Sequence, residues 1–162
     1  MNTFVQGVFS LKDHHDRPVT QESYKGRWIL AFFGFTHCQV VCPRTLSRLS
    51  GVIEDLGSAA EKVHALYITV DPDRDTPDVM RTFLASYPAF TGLTGTNAQV
   101  EQAKENFQVF ARQRAKSRDD DYQIAHTALT YLIDPDGNFV THWSATYDPV
   151  HLREELATLL NS

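Results

Sequence analysis

The sequence predicts a single α/β domain with a parallel βαβ unit at its centre. The chain has 162 residues, which is the length of one domain, and it shows no internal repeat or low-complexity stretch. Hydrophobic residues make up 42% of the chain and include 10 Phe, 6 Tyr and 2 Trp, which is enough apolar surface for one core. Two apolar runs flank a segment whose apolar residues recur at helical spacing. We therefore expect residues 1–162 to form one domain.

The first half of the chain contains the predicted βαβ unit. Residues 4–11 alternate apolar and polar side chains like an edge strand, and a turn is expected over 13–20. Residues 27–35 and 63–70 are continuous apolar runs, which is typical of strands buried on both faces. The helix between them has an apolar face formed by Leu46, Leu49, Ile53 and Leu56. Two parallel strands joined by a helix make a right-handed crossover.

Two helices and a further strand are predicted after this unit. A loop with two prolines leads to Thr76, a suitable N-cap because Pro77 follows it. The apolar positions of the helix that starts there are Val79, Phe83, Leu84 and Tyr87. A weaker helix is expected over 97–107 and a strand over 109–115.

The last third of the chain predicts a β-hairpin and a closing helix. The strands LTYLID and NFVTHW meet at Asp134-Pro-Asp-Gly137, where glycine suits the end of the turn. The amphipathic helix over 149–160 directs its leucines toward the core, namely Leu152, Leu156, Leu159 and Leu160. The element order predicts a thioredoxin-like fold, a central mixed β-sheet flanked by helices, with insertions and an N-terminal strand extension.

Charge and composition argue against two classes of partner. Fifteen Lys and Arg against twenty Asp and Glu leave a net charge of −5, and the basic residues are scattered, which argues against nucleic acid. No run approaches the roughly 18 consecutive apolar residues of a membrane span. The N-terminal MNTFVQGVFSLKD lacks the basic start and apolar block of a signal peptide. We expect a soluble domain that contacts a membrane only through an anchor outside this sequence.

The two cysteines, Cys38 and Cys42, follow the first buried strand where the next helix begins. Free N–H groups and the positive dipole end of a helix favour the thiolate, which is both a nucleophile and a metal ligand. A spacing of four residues puts both sulfurs on one helical face, where they can share a metal ion or form a disulfide. Redox enzymes of this fold usually place two residues between their cysteines, whereas this chain has three, which favours metal binding. An inert disulfide or two buried thiols is the simpler alternative.

The identity of the metal stays open at this point. Soft thiolates favour Cu(I), while two thiolates and an imidazole also suit Cu(II) or, with a fourth ligand, zinc.

His126 is the histidine that the topology selects out of seven. It precedes the predicted hairpin, where thioredoxin-like folds place a cis-proline against the cysteine pair. This loop has no proline, so an imidazole would replace it beside the thiols. A histidine that caps the hairpin is the alternative, and His37 is the main competitor because it adjoins Cys38. The remaining histidines are expected on the surface or on strand faces, namely His14, His15, His64, His142 and His151.

Three segments resemble the Sco/SenC family, whose members assist copper insertion into cytochrome c oxidase. They are FGFTHCQVVCP, ITVDPDRDTP and AHTALTYLIDPDG, and their order and spacing match the family over nearly the whole chain. The resemblance implies that Cys38, Cys42 and His126 bind copper, as Cu(I), Cu(II) or both. It implies a metallochaperone whose partner is the copper-site subunit of cytochrome c oxidase or another copper or thiol protein. It further implies a periplasmic location, with the full-length protein anchored in the membrane.

The chain departs from the family inside the cysteine motif. Gln39-Val40 stand where the family commonly has Pro-Asp after the first cysteine. Losing that carboxylate favours thiolate formation, but it also weakens the stabilisation of Cu(II) or the docking of a partner.

The acidic DPDRDTP loop follows the second core strand at the same sheet edge as the cysteine turn. Its carboxylates either orient a partner or a basic residue, or they form a turn in which Asp75 and Asp78 complement the dipole of the next helix.

Two other functions remain open from the sequence. In a thiol–disulfide oxidoreductase, Cys38 would attack and Cys42 would resolve the mixed disulfide. A peroxidase is the third possibility, because Phe-Thr-His-Cys is similar to the threonine and cysteine of peroxiredoxins, although the proline that normally precedes that motif is missing.

Overall fold

The structure is a computed structural model that describes residues 9–34, 41–107, 129–144 and 148–160, with side chains described at 9–34, 44–107, 130–143 and 148–160. These residues form one seven-stranded sheet and four α-helices. The strands are β1 (Ser10–Asp13), β2 (Pro18–Thr20), β3 (Trp28–Gly34), β4 (Val63–Thr69), β5 (Phe90–Thr94), β6 (Leu129–Ile133) and β7 (Phe139–Ser144). The helices are α1 (Val41–Asp55), α2 (Pro77–Leu84), α3 (Asn97–Asn106) and α4 (Pro149–Leu160).

The sheet is mixed, in the order β2-β1-β5-β4-β3-β6-β7. Its three central strands, β5, β4 and β3, run parallel, and the strands added on either side pair antiparallel. The predicted thioredoxin-like α/β architecture is confirmed, including the β3-α1-β4 unit, the helices α2 and α3, the β6–β7 hairpin and the closing helix α4.

Two apolar layers cover the faces of the sheet because side chains alternate along each strand. On β3, Leu30 and Phe32 belong to one layer, and Ile29 and Phe33 belong to the other. The first layer receives buried side chains from three helices, namely Leu46 and Leu49 of α1, Met80 and Leu84 of α2, and Leu152, Leu156 and Leu160 of α4. The second layer receives Val100 and Ala103 of α3. A strand that is covered on both faces has apolar residues at consecutive positions, and β3 has such a run.

Several predictions about individual elements need correction. The apolar face of α2 was predicted to include Val79, but this side chain is 38% exposed and Met80 is buried in its place. The turn expected over 13–20 contains the short strand β2, and β1 runs from Ser10 to Asp13 instead of ending at residue 11. Residues 1–8 and the strand expected over 109–115 lie outside the described residues.

Strand β5 is absent from the sequence prediction, and Gly92 explains why. Glycine weakens strand propensity, so FTGLT does not stand out as a strand. In the folded chain a Cβ atom at Gly92 would lie 2.8 Å from Cδ1 of Leu84 and 3.0 Å from Cε of Met80. Close packing of α2 on β5 therefore favours glycine at a position where local sequence argues against a strand.

Candidate metal centre

The ends of β3, β4 and β5 and the start of β6 lie at one end of the sheet, which we call the carboxyl edge. In sequence, Cys38 and Cys42 follow the end of β3, and His126 precedes the start of β6. Gly34 and Thr69 are paired at the ends of β3 and β4, and the N–H of Val70 donates to the carbonyl of Gly34 at 2.8 Å. Strand β6 runs antiparallel to β3, with Thr130 opposite Phe32, so β6 begins at the same edge. Ligand sites in α/β sheets commonly form at the carboxyl ends of parallel strands.

Cys42 is the second residue of α1, so its backbone lies at the helix end that carries free N–H groups and partial positive charge. Acidic residues are absent from the first turn of α1. The side chain of Cys42, the whole of Cys38 and the whole of His126 lie outside the described residues. In sequence, Cys38 is four residues after the end of β3 and His126 is three residues before the start of β6. The convergence of the three predicted ligands therefore stays a prediction.

The part of the chain that the structure describes offers no competing metal site. Across the described side chains, at residues 9–34, 44–107, 130–143 and 148–160, no three His, Cys, Asp or Glu are grouped so that they could hold a metal ion.

Asp75 is the acidic residue that the fold buries at the carboxyl edge, with an exposed fraction of 0%. The Thr69 hydroxyl donates to its Oδ2 at 2.7 Å, and the Thr94 hydroxyl donates to its backbone carbonyl at 2.8 Å. Thr69 ends β4 and Thr94 ends β5, so Asp75 ties the loop after β4 to both strands. The sequence did not single out this role, although a threonine at the end of an apolar run with an aspartate six residues later is a signal for it.

The rest of the acidic loop behaves as the turn-and-cap interpretation predicts. Thr76 caps α2, accepting a hydrogen bond from the N–H of Val79 at 3.3 Å. Asp78 lies in the first turn of α2, is exposed, and pairs with Arg81. The carboxylate of Asp75, in contrast, faces β4, so of the two aspartates that were expected to complement the helix dipole only Asp78 lies within the helix.

Comparison with known proteins identifies the family. The family model described as SCO1/SenC matches residues 1–161 of this chain. The chain belongs to the SCO1/SenC family. The family resemblance predicted from the three motifs is thereby confirmed.

Curated relatives in the SCO1/SenC family match over nearly the full chain. The human mitochondrial protein SCO1 homolog is 34% identical over 155 residues, which cover 94% of this chain and 52% of the relative. The SCO2-like protein of Rickettsia felis is 34% identical over 157 residues, which cover 96% of this chain and 77% of the relative. The chain spans about half the length of the first mitochondrial relatives that it matches.

Solved SCO1/SenC structures have the same fold. The crystal structure of yeast Sco1 with copper bound superimposes with a TM-score of 0.85 at 29% identity, covering 100% of this chain and 96% of that chain. The structure of Bradyrhizobium japonicum ScoI with copper bound gives a TM-score of 0.77 at 37% identity, covering 97% of this chain and 98% of that chain.

Of the other described histidines of this SCO1/SenC chain, His15, His142 and His151 are at the surface and His64 is on a strand face, as expected, whereas His14 is half-buried in the turn after β1. On β4, His64 accepts from Arg27 at Nδ1 (3.3 Å) and donates from Nε2 to Thr91 (3.1 Å), since a guanidinium can only donate. Burial of the His64 ring is the main cause that lowers its pKa to about 4, and the positive charge of nearby Arg27 lowers it further. His14 accepts the N–H of Gly92, while His15, His142 and His151 are exposed. His37 lies outside the described residues.

A search of the described helices finds none with the length and apolar character that crossing a membrane requires.

Proposed function

We propose that this chain binds copper through Cys38, Cys42 and His126 and delivers it to the copper site of cytochrome c oxidase. The observation that carries the proposal is the carboxyl edge, because α1, with Cys42 as its second residue, follows β3 in the chain and β6, which begins three residues after His126, starts at this edge. Copper-bound relatives with the same fold support it. The partner would be the copper-site subunit of the oxidase or another copper or thiol protein, met in the periplasm by a membrane-anchored full-length protein.

The donor set fits copper as a cargo. Two thiolates are soft ligands that prefer Cu(I), and an added imidazole gives a donor set that can also hold Cu(II). The N-terminal end of α1 stabilises the thiolate of Cys42 by its dipole and free N–H groups, so a metal does not have to compete with a fully protonated thiol. Transfer then proceeds by ligand exchange, in which a donor of the recipient replaces one donor of this chain at a time and the copper charge stays the same.

An anaerobic titration with Cu(I) tests the proposal. The reduced wild-type chain should bind one copper ion, and Cys42→Ser should abolish tight binding because a thiolate ligand is lost. After oxidation to Cu(II), the thiolate absorption band should be strong in the wild type and weak in His126→Ala. His151→Ala is the matched control, since His151 is 65% exposed on α4 and should behave as the wild type. Copper binding that is unchanged by both ligand substitutions would contradict the proposal.

A second candidate activity is thiol–disulfide exchange with the cysteines of a partner, and the position of Cys42 at the N-terminus of α1 favours it. The Cys38 thiolate would attack a partner disulfide, forming a mixed disulfide and releasing one partner thiolate. The Cys42 thiolate would then attack the Cys38 sulfur, releasing the second partner thiolate and leaving the Cys38–Cys42 disulfide. Cys42→Ser should therefore accumulate the mixed disulfide, and its absence with an oxidised copper-site partner would count against this activity.

A further inference from the structure

His14 connects three elements of the fold through its side chain and its backbone. It lies in the turn between β1 and β2, which together form the β1–β2 hairpin (residues 10–20). The Nδ1 atom of His14 accepts the N–H of Gly92 on β5 at 2.9 Å. The carbonyl of His14 accepts a hydrogen bond from Nη1 of Arg81 on α2 at 2.7 Å. One residue therefore joins the hairpin to a strand and to a helix.

The bond to Gly92 extends the attachment of the hairpin beyond the backbone pairing. The register of β1 on β5 ends with Asp13 opposite Leu93. Continued antiparallel pairing would bring the backbone of His14 opposite Gly92. The chain turns there instead, since the N–H of Asp16 donates to the carbonyl of Asp13 at 2.9 Å. The imidazole nitrogen thus takes the place of a strand carbonyl as the acceptor for Gly92.

This bond also defines the protonation state of the His14 ring. A backbone N–H can only donate, so Nδ1 presents its lone pair to Gly92 and the proton of the neutral ring is on Nε2. A second proton has to bind at Nδ1, where it would meet the N–H of Gly92, donor against donor. Neither ring nitrogen is available to a proton or to a metal ion while the bond to Gly92 persists.

The charged groups around the ring come from the turn and from α2. The ring of His15 contacts that of His14, with 4.4 Å between the ring centroids, and Arg81 approaches from α2. Oδ1 of Asp13 accepts the N–H groups of His15 (2.9 Å) and Arg17 (3.0 Å). The other charged side chains nearby form pairs, Lys12 with Asp16 and Asp78 with Arg81. The five residues of β5 are uncharged.

These surroundings favour the neutral ring of His14. Burial is the main cause that lowers its pKa below the ordinary value of 6.5, and the charge of His15 lowers the pKa further. Asp13 raises the pKa, whereas Arg81 and Arg17 lower it. The bond to Gly92 therefore contributes its full stability above pH 6.5 and loses it as the pH falls below this value, because the open form binds the proton more readily.

We infer that His14 is an acid-sensitive latch: a proton at Nδ1 breaks its bond to Gly92 and releases the β1–β2 hairpin from β5. The opening is local, because β5 keeps its parallel pairing with β4 over four residue pairs. Leu11 and Val19 of the hairpin are buried in the second apolar layer, which opposes opening. The open form is therefore a minor state whose population rises in acid.

Amide hydrogen exchange at pH 7 and pH 5, followed by NMR and corrected for the intrinsic exchange rate, tests the latch. The N–H groups of Gly92 and Thr94 leave β5 on the side of β1, and that of Leu93 leaves on the side of β4, because successive residues alternate. At pH 5 the protection of Gly92 and Thr94 should fall severalfold, and that of Leu93 should not. The ceiling is about thirtyfold, which is the factor by which a ring with the ordinary pKa of 6.5 favours its protonated form at pH 5. Folded His64 stays neutral at pH 5, since its pKa is about 4.

His14→Asn separates the latch from a merely structural contact. The asparagine oxygen can accept the N–H of Gly92 from a position similar to that of Nδ1, and the amide does not bind a proton in this pH range. The protection of Gly92 and Thr94 should therefore be the same at both pH values in this variant. His15→Asn is the matched control, because it makes the same change at the exposed neighbour and should keep the fall in acid.

Three results would overturn the inference: no fall at Gly92 in the wild type, an equal fall at Leu93, or the wild-type fall in His14→Asn. If His14→Asn does not fold, the wild type alone decides. The NMR signals of the His14 ring and of the Gly92 amide should then titrate with one common midpoint below pH 6.5. Two different midpoints would show that the proton on His14 does not control the bond.

Discussion

The tripeptide Asp-Pro-Asp occurs twice in this chain, at opposite ends of the sheet, and the fold uses the two copies differently. In the β6–β7 hairpin, Oδ1 of Asp134 accepts the N–H groups of Asp136 (3.0 Å) and Asn138 (2.9 Å). The N–H of Gly137 donates to the carbonyl of Asp134 at 2.9 Å. The side-chain hydrogen bonds of this loop are all made within four residues, and among the described residues its backbone bond to a distant residue is that of the Pro135 carbonyl, which accepts the N–H of Gly26 at 3.2 Å.

The loop after β4 begins in the same way but depends on distant residues. Asp71 accepts the N–H of Asp75 at 3.0 Å and pairs its side chain with Arg74. The decisive contacts come from the two threonines that end β4 and β5, and the second of them is 19 residues away from Asp75.

This difference distinguishes a turn whose side-chain hydrogen bonds are local from the buried polar joint that Thr69, Asp75 and Thr94 form between β4 and β5. A local turn can be replaced or weakened at small cost, whereas a buried polar joint leaves unsatisfied groups when one partner is removed. The joint lies at the edge where the copper ligands are predicted, and the local turn lies at the opposite end.

The largest expected effect is the difference between Asp75→Ala and Asp134→Ala. Asp75→Ala leaves the buried Thr69 hydroxyl without its acceptor and creates a cavity, so the free energy of unfolding should fall by about 3 kcal/mol. Asp134→Ala removes two side-chain to backbone hydrogen bonds at the surface and should cost about 1 kcal/mol. Urea unfolding with a common m-value measures both. Equal losses would contradict the distinction between the two loops.

A loss of stability of intermediate size is expected when acid protonates His64, the second residue of β4, which lies at the end of the sheet opposite the carboxyl edge. The folded-state pKa of His64, about 4, lies below the ordinary value of 6.5, so the unfolded chain binds more protons between these values. The contribution of neutral His64 is complete above pH 6.5 and is lost as the pH falls toward 4. Because the ring is partly exposed, we expect a loss of about 2 kcal/mol.

Urea unfolding at a series of pH values measures this loss. His64→Gln retains a donor for Thr91 and has no imidazole to protonate, so its acid dependence should be flatter than that of the wild type. His151→Ala, an exposed control on α4, should keep the wild-type slope. A His64→Gln profile parallel to the wild type would show that other groups control acid stability.

The smallest effect is expected at the glycine of the hairpin turn. Gly137 has φ of +94°, a backbone conformation that a side chain disfavours, so Gly137→Ala should lower the free energy of unfolding by about 1 kcal/mol. Gly51→Ala is a control that should change stability in the opposite direction, because Gly51 lies inside α1 and an added Cβ would project into open space. It should stabilise the chain by about 0.5–1 kcal/mol. Thermal unfolding of both variants measures the two changes in stability, which should be opposite in sign.

The elements that the sequence predicted correctly are those with local causes. Apolar residues at helical spacing define α1 and α4, Thr76 followed by Pro77 marks the start of α2, and the turn residues at 134–137 define the hairpin. The same local signals put Cys42 at the start of a helix, where the structure has it.

Other features depend on neighbours that are remote in sequence. Strand β5 is held by its pairing with β4 and β1, and Gly92 gives α2 room to pack on it. Met80 is buried in place of Val79 because the packing of α2 on the sheet decides which helix face is covered. The proximity of His126 to the cysteines remains a prediction from topology.

By itself, the sequence determined the fold class, the family and the position of Cys42 at the start of a helix, because periodicity, caps and motifs act over a few residues. Only the tertiary structure decided that Asp75, and not its acidic neighbours, is buried at the carboxyl edge. Its partners Thr69 and Thr94 meet it there because β4 and β5 lie side by side in the sheet, and that pairing is set by packing over the whole domain.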